Sequence, residues 1–135
     1  MSLVVPDAGE LQMANFLKTQ FNSGSGVTIG LYQNNYTPVS GSTIGNFTFA
    51  TFSGYASQFI TDFGAASTVS GKAKIVGATT KTFSHSGGGT SNTIYGYYVM
   101  DSSSLQVLWA ERFSAPITMA SSGDSIGIIP ALTLE

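Results

Sequence analysis

Acid–base chemistry in this sequence has one histidine to draw on, His85, and seven carboxylates: Asp7, Glu10, Asp62, Asp101, Glu111, Asp124 and Glu135. A general acid or base needs its partner group held within hydrogen-bond reach. His85 stands between Ser84 and Ser86 and just before Gly87-Gly88-Gly89, the composition of a mobile loop, so a solvated loop residue is expected there. The carboxylates do not follow the D-x-D-x-D spacing of a calcium loop, and most fall in turn-like stretches where Asp hydrogen-bonds its own backbone. A glycosidase pair drawn from Asp62, Asp101 and Glu111 rests on assumption alone, because nothing in the spacing brings them together. The Gly87–Ser91 run lacks both the lysine of a phosphate-binding loop and the G-x-G-x-x-G spacing of a dinucleotide site. With no cysteine there is no thiolate zinc site and no disulfide. The expectation is a chain with no catalytic residue, no metal site and no cofactor.

The elements that would position any site are mostly β. A short apolar arm, Leu3-Val4-Val5-Pro6 (residues 1–6 in all), precedes Asp7-Ala8-Gly9-Glu10, whose spacing is that of a capping box with Asp7 as N-cap. The helix it opens is expected over about residues 8–21, with Leu11, Ala14, Leu17 and Phe21 as one buried stripe and Asn22-Ser23-Gly24-Ser25-Gly26 as its stop. Val27, Ile29 and Leu31 alternate with Thr28, Gly30 and Tyr32, the pattern of a half-buried strand. Gln33–Pro38 reads as a turn and the stretch to Asn46 as a loop. At least one strand is expected within Phe47–Phe52 or Tyr55–Phe63, and one broken or two short ones over Ala73–Phe83, with Lys72, Lys74 and Lys81 on wet faces. Ala115-Pro116 is expected to turn the chain before a brief strand at Ile117–Met119. Ile126, Ile128, Leu132 and Leu134 share a face of a last strand that Pro130 bends or pushes to a sheet margin. The sum is a single domain, residues 1–135, mainly β: an antiparallel, jelly-roll-like sandwich of seven to nine short strands with one N-terminal α-helix.

At the centre lies Ile94–Phe113, two aromatic-rich runs around Asp101-Ser102-Ser103-Ser104, the signature of a β-hairpin. A symmetric loop pairs Met100 with Leu105, Tyr98 with Val107, Gly96 with Trp109 and Ile94 with Glu111. Both faces of that ribbon are apolar, so it needs cover on two sides. One cover is the core; the other is expected to be a helix, a second sheet or another subunit. Core or protein contact is the better use of Tyr95, Tyr97, Tyr98 and Trp109 than a sugar-stacking platform. Glu111 is expected where the hairpin leaves the core. Arg112, on the opposite face, either pairs across an interface or lays its stem over apolar surface.

Charged residues make up 9% of the chain, five basic against seven acidic, for a net charge of −2. That balance excludes phosphate-driven nucleic-acid binding as the main activity. The opening residues lack a signal-peptide pattern and no apolar run approaches the ~20 residues of a membrane span, so a soluble, cytoplasmically made protein with no membrane partner is expected. So little charge gives little protection against self-association. It fits a protein that works assembled.

Several stretches, in order, carry a likeness: Val5–Glu10 before the helix, LYQNNYTP at 31–38, FATFSGY at 49–55, IYGYYVMDSSSLQVLWAERFSAP at 94–116 and GDSIGIIPALTL at 123–134. Together they resemble a family of small virion structural proteins of tailed bacteriophages, of the marine phage and cyanophage type. The resemblance implies a non-enzymatic particle component, with capsid decoration (cement) protein as the leading role and a tail-fibre or baseplate receptor- or carbohydrate-binding module as the alternative. It implies other virion proteins as partners, the major capsid protein first, and a homo-oligomer, of which a trimer is a common form. The contact residues expected are Leu3, Val4 and Val5 of the arm and Tyr95, Tyr97 and Arg112 of the hairpin. The chain would be made in the bacterial cytoplasm and end in the virion.

Overall fold

The computed structural model describes residues 3–23 and 26–134. It is an antiparallel β-sandwich of nine strands preceded by one α-helix, α1 (Asp7–Asn22). Strands β1 (Val27–Tyr32), β2 (Gln58–Ile60), β6 (Asn92–Asp101) and β7 (Val107–Met119) form one sheet in the order β2-β1-β6-β7. The facing layer has two smaller sheets. One pairs β3 (Ser67–Val69), β4 (Lys72–Val76) and β9 (Ala131–Thr133); the other pairs β5 (Lys81–Ser84) with β8 (Ser125–Ile128). Helix α1 packs against β4 and β3.

The helix starts one residue earlier than its capping pattern implies. Pro6, extended at φ −63° and ψ 152°, is the N-cap, so Asp7 lies inside the first turn and no side chain caps the end. A carboxylate there still suits the positive end of the helix dipole. At the other end Ser23 closes the last turn, its amide and hydroxyl both donating to the Gln20 carbonyl. Gly24 and Ser25 of the expected stop lie outside the described residues, as do Met1, Ser2 and Glu135. Two asparagines then fasten the helix: Asn22 exchanges two hydrogen bonds with the Phe63 backbone, at 2.8 and 2.9 Å, and Asn15 accepts from the Ala66 amide.

One core lies between the layers. It takes Val27, Ile29 and Leu31 from β1, Ile94, Tyr97 and Val99 from β6, Ala73 and Ile75 from β4, Phe83, Ile126 and Ile128 from β5 and β8, and Ala14 and Phe21 from α1. Trp109 joins through an aromatic triad, its ring centroid 6.0 Å from Phe21 and 6.2 Å from Phe63. Pro130 does break the last strand: the halves on either side become β8 and β9 and pair with different partners.

The hairpin exists, but its register differs from the symmetric one. The tight loop is Ser102–Leu105, one residue later than expected, with Leu105 at φ 57° and the Asp101 amide donating to the Gln106 carbonyl. Met100 therefore faces Val107, Val99 faces Trp109, Tyr98 faces Ala110, Tyr97 faces Glu111 and Gly96 faces Arg112. Further on, Ile94 faces Ile117, so Phe113–Pro116 bulge opposite Tyr95 alone. Pro116 thus does not turn the chain. It sits in the bulge, where the ladder asks for no amide, and β7 continues through it.

Strand β1 is not half-buried: all six of its residues are covered. On its outer face Tyr32 opposes Gly96 and Gly30 opposes Tyr98. Each tyrosine lies across the glycine of the facing strand. A Cβ on Gly30 would come within 2.3 Å of the Tyr98 hydroxyl, and one on Gly96 within 2.5 Å of the Tyr32 hydroxyl and 2.1 Å of the Glu111 carbonyl. The cover over this face is neither an α-helix, a sheet nor a second subunit but the chain's own segment 33–50, with one 3-10 turn at Ile44–Asn46, which brings Phe47 against Tyr32 and Tyr98 with Tyr36 and Ile44 around it. Within it, Phe47–Phe52 forms no strand, only an isolated bridge from Phe49 to Tyr32.

Gly96→Ala is therefore expected to cost about 3 kcal/mol of stability, since neither the backbone carbonyl nor the packed ring can move aside freely. Urea denaturation checks it, and a loss below about 0.5 kcal/mol would show that the ring-over-glycine packing is not limiting. Trp109→Ala is expected to cost about 3 kcal/mol through the emptied triad, read in the same way.

Candidate interaction surface

Of the residues that acid–base chemistry would draw on, His85, Asp62, Asp101, Glu111 and Asp124 are held by local partners. His85 is not solvated. It is 2% exposed and stacked on Phe52, with ring centroids 5.8 Å apart. Its Nδ1 accepts from the Gly87 amide at 3.0 Å, so the ring proton sits on Nε2 and is donated to the Thr90 carbonyl at 2.9 Å. The histidine folds the glycine loop around itself, a role that loop composition hides.

Asp62 accepts from the Thr79 hydroxyl and lies 3.3 Å from Lys81 Nζ; these contacts, the hydroxyl first, hold its pKa below the usual carboxylate range. Lys81 is thus half-buried and paired rather than on a wet face. Glu111 is exposed and accepts from the Tyr97 hydroxyl at 2.9 Å. Burial, reinforced by that carboxylate, raises the Tyr97 pKa. Asp124 accepts from the Ala120 and Ser121 amides, which lowers its pKa. The carboxylates considered for a glycosidase pair thus serve different local partners: Asp62 the Thr79 hydroxyl, Glu111 the Tyr97 hydroxyl and Asp101 the amides of its own hairpin loop. Among the described residues no three His, Asp or Glu side chains gather as a metal ion would require. No helix there is long and apolar enough to cross a membrane.

The hairpin contact residues are engaged within the chain. Tyr97 is a core residue, 5% exposed. Arg112 donates from Nη1 to the Tyr36 carbonyl at 2.9 Å and from Nη2 to Asn35 Oδ1 at 2.6 Å, while its guanidinium lies 5.2 Å from the centre of the half-buried Tyr95 ring. It pins segment 33–50 to the sheet. Tyr98, also buried, hydrogen-bonds Tyr55, whose hydroxyl accepts from the Leu31 amide. Neither Tyr97 nor Tyr98 offers a face to a sugar.

Exposed apolar residues occur singly elsewhere, Val39, Phe59 and Ile129 among them, but at the helix they line a groove. Leu3 and Val4 of the arm are almost bare, and Val5 is partly tucked against Gly9. Along α1, Met13, Phe16, Leu17 and Gln20 border an apolar groove of about 440 Å³ whose far wall is Leu134. Leu11, Ala14, Leu17 and Phe21 were the only stripe expected, and Ala14 and Phe21 are its fully buried members. The second stripe was there to find, since positions 13, 16, 17 and 20 follow the same i, i+3, i+4, i+7 spacing. Met13 and Phe16 thus carry apolar surface beyond the stripe that the core covers. Compared with known protein families, curated proteins and solved structures, the chain matches none.

The hairpin loop supplies a pH test. Asp101 Oδ1 accepts from the Ser103 hydroxyl and from the Ser103 and Ser104 amides, which together lower its pKa to about 2. A depressed carboxylate stabilises the fold above its unfolded pKa and loses that contribution as pH falls through the folded value. The loop amides of Ser103 and Ser104 are thus expected to keep their NMR shifts through mild acid and move together near pH 2. Movement near pH 4 would show that the loop bonds are not made.

Proposed function

We propose that this chain is a non-enzymatic virion structural protein of a tailed bacteriophage, made in the bacterial cytoplasm and carried on the particle, with capsid decoration as its role. The observation that carries the reading is the open apolar surface of the arm and the α1 groove on a chain with only 9% charged residues. Open apolar surface of that kind marks a contact site. Copies arrayed on a symmetric shell multiply weak individual contacts. The resemblance of residues 5–10, 31–38, 49–55, 94–116 and 123–134 to small phage virion proteins supports the same reading. Its partners in this role are the major capsid protein and further copies of itself.

The hairpin itself does not call for that assembly. The hairpin's second face is closed by segment 33–50, so the contact surface is not needed to cover it. An electron-microscopy map of the intact particle with this chain located tests the proposal. Density at regular positions on the head is the expected result. A few copies on a tail fibre or baseplate would favour the receptor- or carbohydrate-binding alternative, and absence from purified particles would overturn both.

A further inference from the structure

We infer that the α1 groove is the seat for the N-terminal arm of a second copy of this chain. Leu3 is 92% exposed and Val4 77%, while Phe16 and Met13 in the groove are 66% and 46% exposed. The arm therefore does not fill its own groove. It leaves the N-terminal end of α1 through extended Pro6, whereas the groove begins two turns further along the helix.

Dimensions match between copies. Four extended residues, Leu3–Pro6, span about 10 Å, and the helix rises about 10 Å from Met13 to Gln20. The chemistry matches too: Leu3-Val4-Val5-Pro6 is apolar throughout, and the groove is lined by Met13, Phe16, Leu17 and Leu134 with one uncharged amide, Gln20. Neither side asks the other to bury a charge. Leu3, Val4, Met13 and Phe16 together leave on the order of 500 Å² open, against about 800 Å² per partner in a stable interface. A contact of that size is a weak one, so association is expected at high chain concentration. Because each copy gives one arm and offers one groove, the area per copy is the same whether the contact closes as a pair or as a ring. This deepens the assembly reading above, yet it concerns the isolated chain and is tested there, so either can fail alone.

The absence of native cysteine makes the test clean. Full-length Val4→Cys and Phe16→Cys copies, purified separately and mixed under mild oxidation, are expected to give a mixed disulfide-linked dimer. A mixture of Val4→Cys with Val39→Cys, an exposed position far along the chain, is expected to give none. By light scattering the wild-type chain is expected above its monomer mass of 14.1 kDa, and Phe16→Glu at that mass with an unchanged melting temperature. A wild-type chain that stays monomeric at its highest soluble concentration overturns the inference. So does an oligomer that survives Phe16→Glu without the Val4–Phe16 cross-link.

Discussion

The constraint on which this structure rests is that β1 and β6, the two central strands of its largest sheet, are buried on both faces. An antiparallel sheet commonly leaves one face to water, and a chain of this size has little material for a second cover. The solution is compression. By laying Tyr32 over Gly96 and Tyr98 over Gly30, the outer face becomes nearly flat, and one irregular segment, 33–50, can close it with Phe47 at its centre. Arg112 then ties that segment down through the Tyr36 carbonyl and Asn35. Together with the Tyr32 hydroxyl on the same Tyr36 carbonyl and the Ala50 amide on the Leu31 carbonyl, it holds a cover whose described ladder to the sheet is the Tyr32–Phe49 bridge.

Much of the architecture was legible because it follows from periodicity. The helix, the strand after it, the central hairpin and the break at Pro130 all show as apolar spacing or as a residue that cannot donate to a ladder. Register was not legible, for a physical reason: pairing is set by the turn and by bulges, and both deviate here. Leu105 takes a left-handed conformation that glycine or asparagine would have announced. Phe113–Pro116 loops out against Tyr95, and nothing in its composition separates a bulge from a turn. Gly96, expected opposite Trp109, instead makes room for the Tyr32 ring, and Gly30 does the same for Tyr98.

The candidate surface was half visible. Leu3, Val4 and Val5 stand out in the sequence as apolar residues with no periodic partner. Met13 and Phe16 do not, because Leu11, Ala14, Leu17 and Phe21 already satisfy the search for a core-facing stripe. His85 fails in the opposite direction: serines and glycines around it predict exposure, yet its two ring nitrogens supply the fixed bonds that the glycine loop lacks. Composition reports what a loop is able to do, and one well-placed imidazole decides what it does.

The swelling at Phe113–Pro116 has a consequence for life at high density. Strand β7 is the outermost of its sheet and thirteen residues long, the kind of margin on which a stranger's backbone readily crystallises into fibrils. Interrupted midway by four looped-out residues, one of them proline, it offers an invader two short, misaligned docking lengths instead of one continuous template. Copies crowded side by side are thereby kept from zipping together through their peptide groups.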